Sequence, residues 1–230
     1  MLPYLAMALP SLALSLFSLS VVWGGVVRLV RDAGGSAHGL RNPRAWARAL
    51  RDALALEQLR GGGDGCYYPD RDRPSSTRRV LHSLVFYGFG AAFLSTVVAA
   101  FQQDILGQDP PYPVLGVCVL LGVAGGVGMI AGCSGLLWLK ARADRSLGAA
   151  AMLRMDVAFL LTLGLGAVTG MLTLVVRATP LLGPMLVLHI GVLTALYVTA
   201  PYGKLVHGVY RLGALLLSRI EALESPPARP

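Results

Sequence analysis

Charge is what this sequence has least of. Asp, Glu, Lys and Arg make up 14% of its 230 residues, where a soluble domain carries roughly a quarter. The shortage is local: charge gathers in a few short stretches and vanishes from long apolar ones, which excludes a water-soluble enzyme core. Cysteine is scarce as well. Cys66, Cys118 and Cys133 are widely spaced and form no CxxC pair, which excludes a zinc site or an iron–sulfur cluster built from this chain alone. Cys118 and Cys133 share one apolar run and read as small packing residues. No basic stripe carries interleaved aromatics, so the net charge of +8 does not describe a nucleic-acid surface. The arginines flank apolar runs instead, where membrane topology needs them.

What is present is apolar length. Hydrophobic residues make up 55% of the chain, and mean hydropathy is +0.63. A spanning helix needs about 20 mostly apolar residues, and only helices or closed barrels satisfy their backbone in lipid. The runs here are continuous rather than alternating, which selects helices over a barrel. The expected fold is an all-α membrane protein, a bundle of about five transmembrane helices with one amphipathic interfacial helix.

The first helix occupies residues 1–31. No positive residue precedes its apolar run and Arg28 and Arg31 follow it, the reverse of a cleaved signal peptide. Residues 32–79 form an Arg-rich loop with nine Arg against six acids. Within it Ala45 to Arg60 reads as a short amphipathic helix, with Asn42 as N-cap, Pro43 at the first helical position and Gly61 to Gly63 as the stop. That helix lies on the lipid headgroups or presents a docking surface to a partner. Residues 80–217 hold four further spans, at about 80–103, 112–140, 155–176 and 182–217. The last is too long for one crossing, and a kink is expected at Pro201-Tyr-Gly203. Residues 218–230 are expected to form a disordered tail.

Topology follows from the cations. The Arg-rich loop and the run from Lys140 to Arg145 belong inside, and the Lys- and Arg-free loop from Asp104 to Pro113 belongs outside. The N-terminus is then outside and Lys204, Arg211 and Arg219 are inside. In this arrangement His82, at the start of the second span, and His207, near the end of the fifth, fall at one membrane depth. His189 and His207 are 18 residues apart and on a continuous helix would share a face, about 27 Å from each other. Two imidazoles at one depth suit a six-coordinate b-type haem; interfacial or hydrogen-bonded structural histidines fit the positions equally. Arg78, Arg79, Lys204 and Arg211 surround the same level, as partners of haem propionates or a quinone headgroup or as ordinary positive-inside anchors. Asp156 suits a helix N-terminus. The glycines from Gly122 to Gly128, with Gly132, sit mid-membrane and read as helix-packing positions rather than a phosphate loop. His38 shows no partner in the loop.

Several segments carry a family resemblance. Gly61 to Asp70 (GGGDGCYYPD), then Arg78-Arg79, His82 and Phe86-Tyr-Gly-Phe89, resemble the tricarballylate utilization protein TcuB (CitB) family. So do Gly135 to Leu139, Met155-Asp156, Arg177 to Thr179 and the specific Pro201 to Arg211 (PYGKLVHGVYR), so that the resemblance covers nearly the whole chain. It implies a bacterial inner-membrane electron carrier. Electrons would come from a flavin-dependent tricarballylate dehydrogenase on the cytoplasmic side and pass through iron–sulfur clusters and b-type haem to quinone. A distant similarity runs to the cytochrome b subunit of respiratory nitrate reductases, in which histidines of paired helices hold haem. Carried over, His82, His189 and His207 match histidines expected in the family, with His82 and His207 as the axial pair.

Two departures stand out. Relatives usually begin with a two-cluster ferredoxin domain and one more span, so the iron–sulfur clusters are expected on a separate polypeptide or on a missing start. Where many relatives carry a histidine near the outer end of the second span, this chain has Gln102-Gln103, which leaves His189 without an evident partner. A haem-free anchor that docks a dehydrogenase is a second reading of the chain. A small-molecule transporter is a third, although no internal repeat supports it.

Overall fold

The computed structural model describes residues 4–33, 39–56, 59, 66–68, 71–142 and 150–224. It divides into two compact units, residues 64–196 and residues 2–63 with 197–230. Five helices are long and apolar enough to cross a membrane: Leu12–Asp32, Thr77–Asp104, Val117–Arg142, Leu153–Val175 and Leu182–Thr199. The chain is a multi-pass membrane protein with an all-α bundle fold.

In the first unit a short antiparallel hairpin, β1 (Cys66–Tyr68) and β2 (Arg71–Ser75), pairs Cys66 with Ser75 and Tyr67 with Pro74. It leads into α3 (Thr77–Asp104), whose first residue donates its backbone N–H to the Ser75 hydroxyl at 3.2 Å. After a Pro- and Gly-bearing turn come α4 (Val117–Arg142), α5 (Ala150–Val175) and α6 (Leu182–Thr199), the last of which begins in this unit. The core gathers Met129, Cys133, Leu160, Leu163, Ala167 and Leu196 from α4, α5 and α6. Outward positions stay apolar. Phe93 is 55% exposed and Val175 73% exposed, a surface that lipid rather than water covers.

Glycine lets α3 and α4 touch backbone to backbone. A Cβ on Gly125 would lie 2.6 Å from Ala92 N and Gly88 O, and one on Gly132 would lie 2.7 Å from Leu81 O. Gly122 to Gly128 and Gly132 are helix-packing residues, as their mid-membrane position suggested.

In the second unit α1 (Tyr4–Asp32), α2 (Pro43–Leu54) and α7 (His207–Glu224) pack together. Val26 and Val30 of α1 are buried, and Leu29 and Val26 side chains lie 3.3 and 3.6 Å from where a Gly213 Cβ would stand. The Asn42 side chain caps α2 by accepting from Arg44 N at 3.0 Å, with Pro43 at the first turn, as the sequence signals.

Four expectations are corrected. The apolar run 182–217 is not one helix: Pro201 has no N–H to continue the ladder, and α6 stops at Thr199, followed by a turn and a 3₁₀ segment at Lys204–Val206. His189 and His207 therefore sit on different helices and share no face. Residues 218–224 are not disordered, because α7 runs on to Glu224 with Ile220 buried against α2; residues 225–230 lie outside the described residues. The amphipathic helix ends at Leu54 instead of Arg60, with Leu56 at φ 50, and the Gly61 to Gly63 stop lies outside the described residues. Nor does lipid take its whole apolar face, since α7 covers Ala45 and Ala49 completely.

Candidate functional site

His207 is the first residue of α7 and is exposed. Its imidazole Nδ1 faces the carbonyl of Lys204, three residues back in the 3₁₀ turn. A carbonyl only accepts, so Nδ1 is the donor here, and in a neutral ring that leaves the lone pair on Nε2. Lys204 is half-buried in this turn and Arg211 is exposed one turn into α7.

His189 lies in α6 and is half-buried. Its Nδ1 is 2.9 Å from Thr169 Oγ1 on α5. The Thr169 hydroxyl donates to the Leu165 carbonyl at 2.8 Å, the usual back-bond of a helical threonine. A hydroxyl that donates there accepts from His189 Nδ1–H, and the neutral ring then carries its lone pair on Nε2, with the Gly166 carbonyl a further partner of the ring. Gly170 completes the cradle: a Cβ there would stand 3.1 Å from His189 Cε1, so the small residue admits the ring. Histidines that hold metal are anchored in this way, with one ring N–H on an oxygen acceptor and the other nitrogen presented. In that respect the residues fit a haem iron.

The remaining candidates are placed but not assembled. His82 is half-buried in the second turn of α3, with Arg78 exposed and Arg79 half-buried one turn before it. These three belong to the first unit, with His189, whereas His207, Lys204 and Arg211 belong to the second. Among the described residues no three His, Cys, Asp or Glu side chains gather into a metal-binding group. His38 lies outside the described residues.

Three contacts escaped the sequence reading. Thr169 is one; nothing in an apolar run announces a partner 20 residues away on another helix. A second is the ion pair of Lys140 Nζ with Asp156 Oδ2 at 2.6 Å, both largely buried, which ties the end of α4 to α5. Asp156 thus serves a pair rather than the helix N-terminus, since α5 begins at Ala150. Beside it, the Arg142 guanidinium lies 4.3 Å from the centre of the Trp138 ring. The third is at the opposite ends of these helices. Arg177 donates to the Tyr112 carbonyl at 3.0 Å and the Tyr112 hydroxyl donates to Ala99 O at 2.9 Å. Burial, with the Cys118 thiol and the Asp109 and Asp104 carboxylates, raises the phenol above its ordinary pKa, so it stays protonated and donating.

The His189 anchor is testable. Thr169→Val keeps the shape and removes one acceptor, leaving the Gly166 carbonyl as the ring's remaining partner, at a cost toward the low end of about 1–3 kcal/mol. We expect a lower melting temperature in detergent and a shift of His189 toward the Nε2–H tautomer in ¹⁵N-histidine NMR, both restored by Thr169→Ser. Unchanged His189 resonances in the valine variant would show that the hydroxyl does not set the ring.

The family model described as citrate utilization protein B matches residues 1–228. The Citrate utilization protein B of Escherichia coli is 41% identical over 207 residues, which cover 90% of this chain and 54% of that protein. The chain spans about half the length of that relative. No solved structure matches.

Proposed function

The chain belongs to the citrate utilization protein B family, and from that premise we propose that it is a membrane electron-transfer subunit serving citrate or tricarballylate utilization. In this reading it takes electrons from a flavin-dependent dehydrogenase through a ferredoxin-like iron–sulfur domain or subunit and delivers them to quinone. It lies in the bacterial inner membrane with its N-terminus outside and its C-terminus cytoplasmic, as the distribution of cations argues.

One observation carries the reading: His207 opens α7 with Nδ1 held by the Lys204 carbonyl, which aims the chemistry of the ring at Nε2. His82 and His207 are the residues that would hold a b-type haem, with His189 a candidate for a second. Such a haem supplies one-electron redox chemistry, which the protein tunes by ligand identity, hydrogen bonding and burial. The rest falls to the chain's own residues. The Lys204 carbonyl on His207 Nδ1–H would hold the tautomer that leaves Nε2 free to act as a ligand. Arg78, Arg79, Lys204 and Arg211 supply cations for propionate or quinone oxygens, and the apolar spans keep water away.

A dithionite-reduced minus oxidised visible spectrum of the purified full chain tests the proposal. The expected result is a b-type α-band that His82→Ala and His207→Ala each abolish. A well-folded, haem-replete preparation with no such band would overturn the electron-relay reading and leave a haem-free docking anchor as the better account.

A further inference from the structure

Helix α2 presents three different faces, and only one of them is covered. Ala45, Ala49 and Asp52 face α7 and are buried. Leu50 and Leu54 are 44% and 59% exposed, and Trp46 at the same spacing is half-buried, its ring N–H satisfied by the Leu40 carbonyl. Arg44, Arg48 and Arg51 recur at i, i+4 and i+7, so they share the third face, and all three are exposed, as is Arg41 just before the helix. The single acid of the helix is withdrawn from this face. Asp52 Oδ2 accepts from Arg219 of α7 at 2.6 and 2.7 Å, so the outward charge is cationic throughout.

The position of α2 within its unit is fixed by α7. Near its start α7 packs on the end of α1, with Tyr210 against Gly25 and Gly213 against Val26 and Leu29. Arg28 and Arg31 there are exposed and are the first cations after the apolar run, so they mark the headgroup level. Leu216 and Ile220, which carry α2, follow Gly213 by one to two turns, about 5–10 Å along the axis. The upper end of that span slightly exceeds one Debye length, about 8 Å at physiological ionic strength. The bilayer that the chain itself spans therefore lies close to the segment of α7 that carries α2.

We infer that α2 is an anionic-phospholipid site. Leu50 and Leu54 enter the headgroup boundary, Arg44, Arg48 and Arg51 hold lipid phosphates, and α7 braces the helix from behind through Ala45, Ala49 and the Asp52–Arg219 pair. An apolar stripe beside a cationic row is the pattern of a helix lying in the interface plane. Attraction to an anionic surface grows with each such residue.

Trp46 reports on this face. The full chain bearing Trp23→Phe and Trp138→Phe keeps it as the lone tryptophan of the three and is reconstituted in phosphatidylcholine bilayer discs. A small fixed fraction of lipid with brominated acyl chains is added, either as phosphatidylglycerol or as phosphatidylcholine. The phosphatidylglycerol is expected to quench Trp46 more strongly, with a local preference of about fivefold for each engaged headgroup. Raised salt or a combined Arg44→Gln, Arg48→Gln, Arg51→Gln variant is expected to abolish the preference, since these exposed changes leave the α7 contacts intact. Equal quenching by the two lipids would overturn the site. Absence of quenching by either would overturn it too.

Discussion

Gly125→Leu is expected to prevent assembly of the first unit. The added Cβ alone would stand 2.6 Å from Ala92 N and from Gly88 O. Both are backbone atoms of α3, so no rotamer change relieves the clash; the helices must part. Overpacking of a core by side chains typically costs about 1–3 kcal/mol, and a clash with a helix backbone exceeds that because a whole crossing is lost. The tight approach recurs at Gly88, where a Cβ would meet Gly125 O at 2.9 Å, and at Gly132, so the strain spreads along the seam. Gly90→Leu is the control: it is also within α3, yet nothing lies within 4 Å of its would-be Cβ. The expected outcome is monodisperse Gly90→Leu protein melting near the wild type and Gly125→Leu protein that aggregates on extraction. Equal melting of the two would mean that α3 and α4 do not cross at these glycines.

The glycine seam shows what was legible in this sequence and why. A bilayer demands continuous apolar segments with satisfied backbone, so each span announces itself, and α3 starts three residues before its expected position at Val80. The same logic overran where hydropathy continues across a break. Tyr112 to Gly116 is apolar enough to extend a span, but Pro113 and Gly116 form a turn closed by a 2.9 Å bond between them, and α4 begins at Val117. At Pro201 a kink in a continuing helix is expected, whereas the helix stops at Thr199 and restarts at His207, so His189 and His207 do not share a face. The tail failed in the opposite sense. Ser218 to Glu224 mixes charge with single apolar residues, and its helix makes sense only once Ile220 meets Ala45 and Ala49 of α2.

The candidate site divides along the same line. Histidine positions and flanking cations can be read directly, because ionisable residues stand out in or beside apolar runs. What each imidazole does is decided by its acceptor. For His207 that acceptor is local, three residues away in a turn set by Pro201 and Gly203. For His189 it is Thr169, across a helix pair that no periodicity joins.

Leu216→Ala is expected to loosen α2 from α7 and carries the largest effect in the second unit. Leu216 is 1% exposed and shares a cluster with Ala45, Ala49 and Ile220. Its fully buried neighbours across the contact are two alanines, which cannot reach into the space, with Leu40 and Trp46 packed at the edge of the cluster. Burying a leucine and then truncating it costs about 2–5 kcal/mol, which here falls on the docking of one short helix. A helix of 12 residues has little stability of its own in water, so a detached α2 unfolds and exposes its backbone. Trypsin reads this directly, since Arg44, Arg48 and Arg51 are exposed but protected by helical structure. When opening is fast relative to cleavage, proteolysis follows the equilibrium population of the open form. A cost in the upper part of that range therefore predicts cleavage at these arginines faster by about two orders of magnitude or more. Asp52→Asn removes one side of a partly exposed pair and should accelerate cleavage far less. Identical trypsin profiles for Leu216→Ala and the wild type would show that α2 does not rest on α7, and the brace behind the arginine row would go with it.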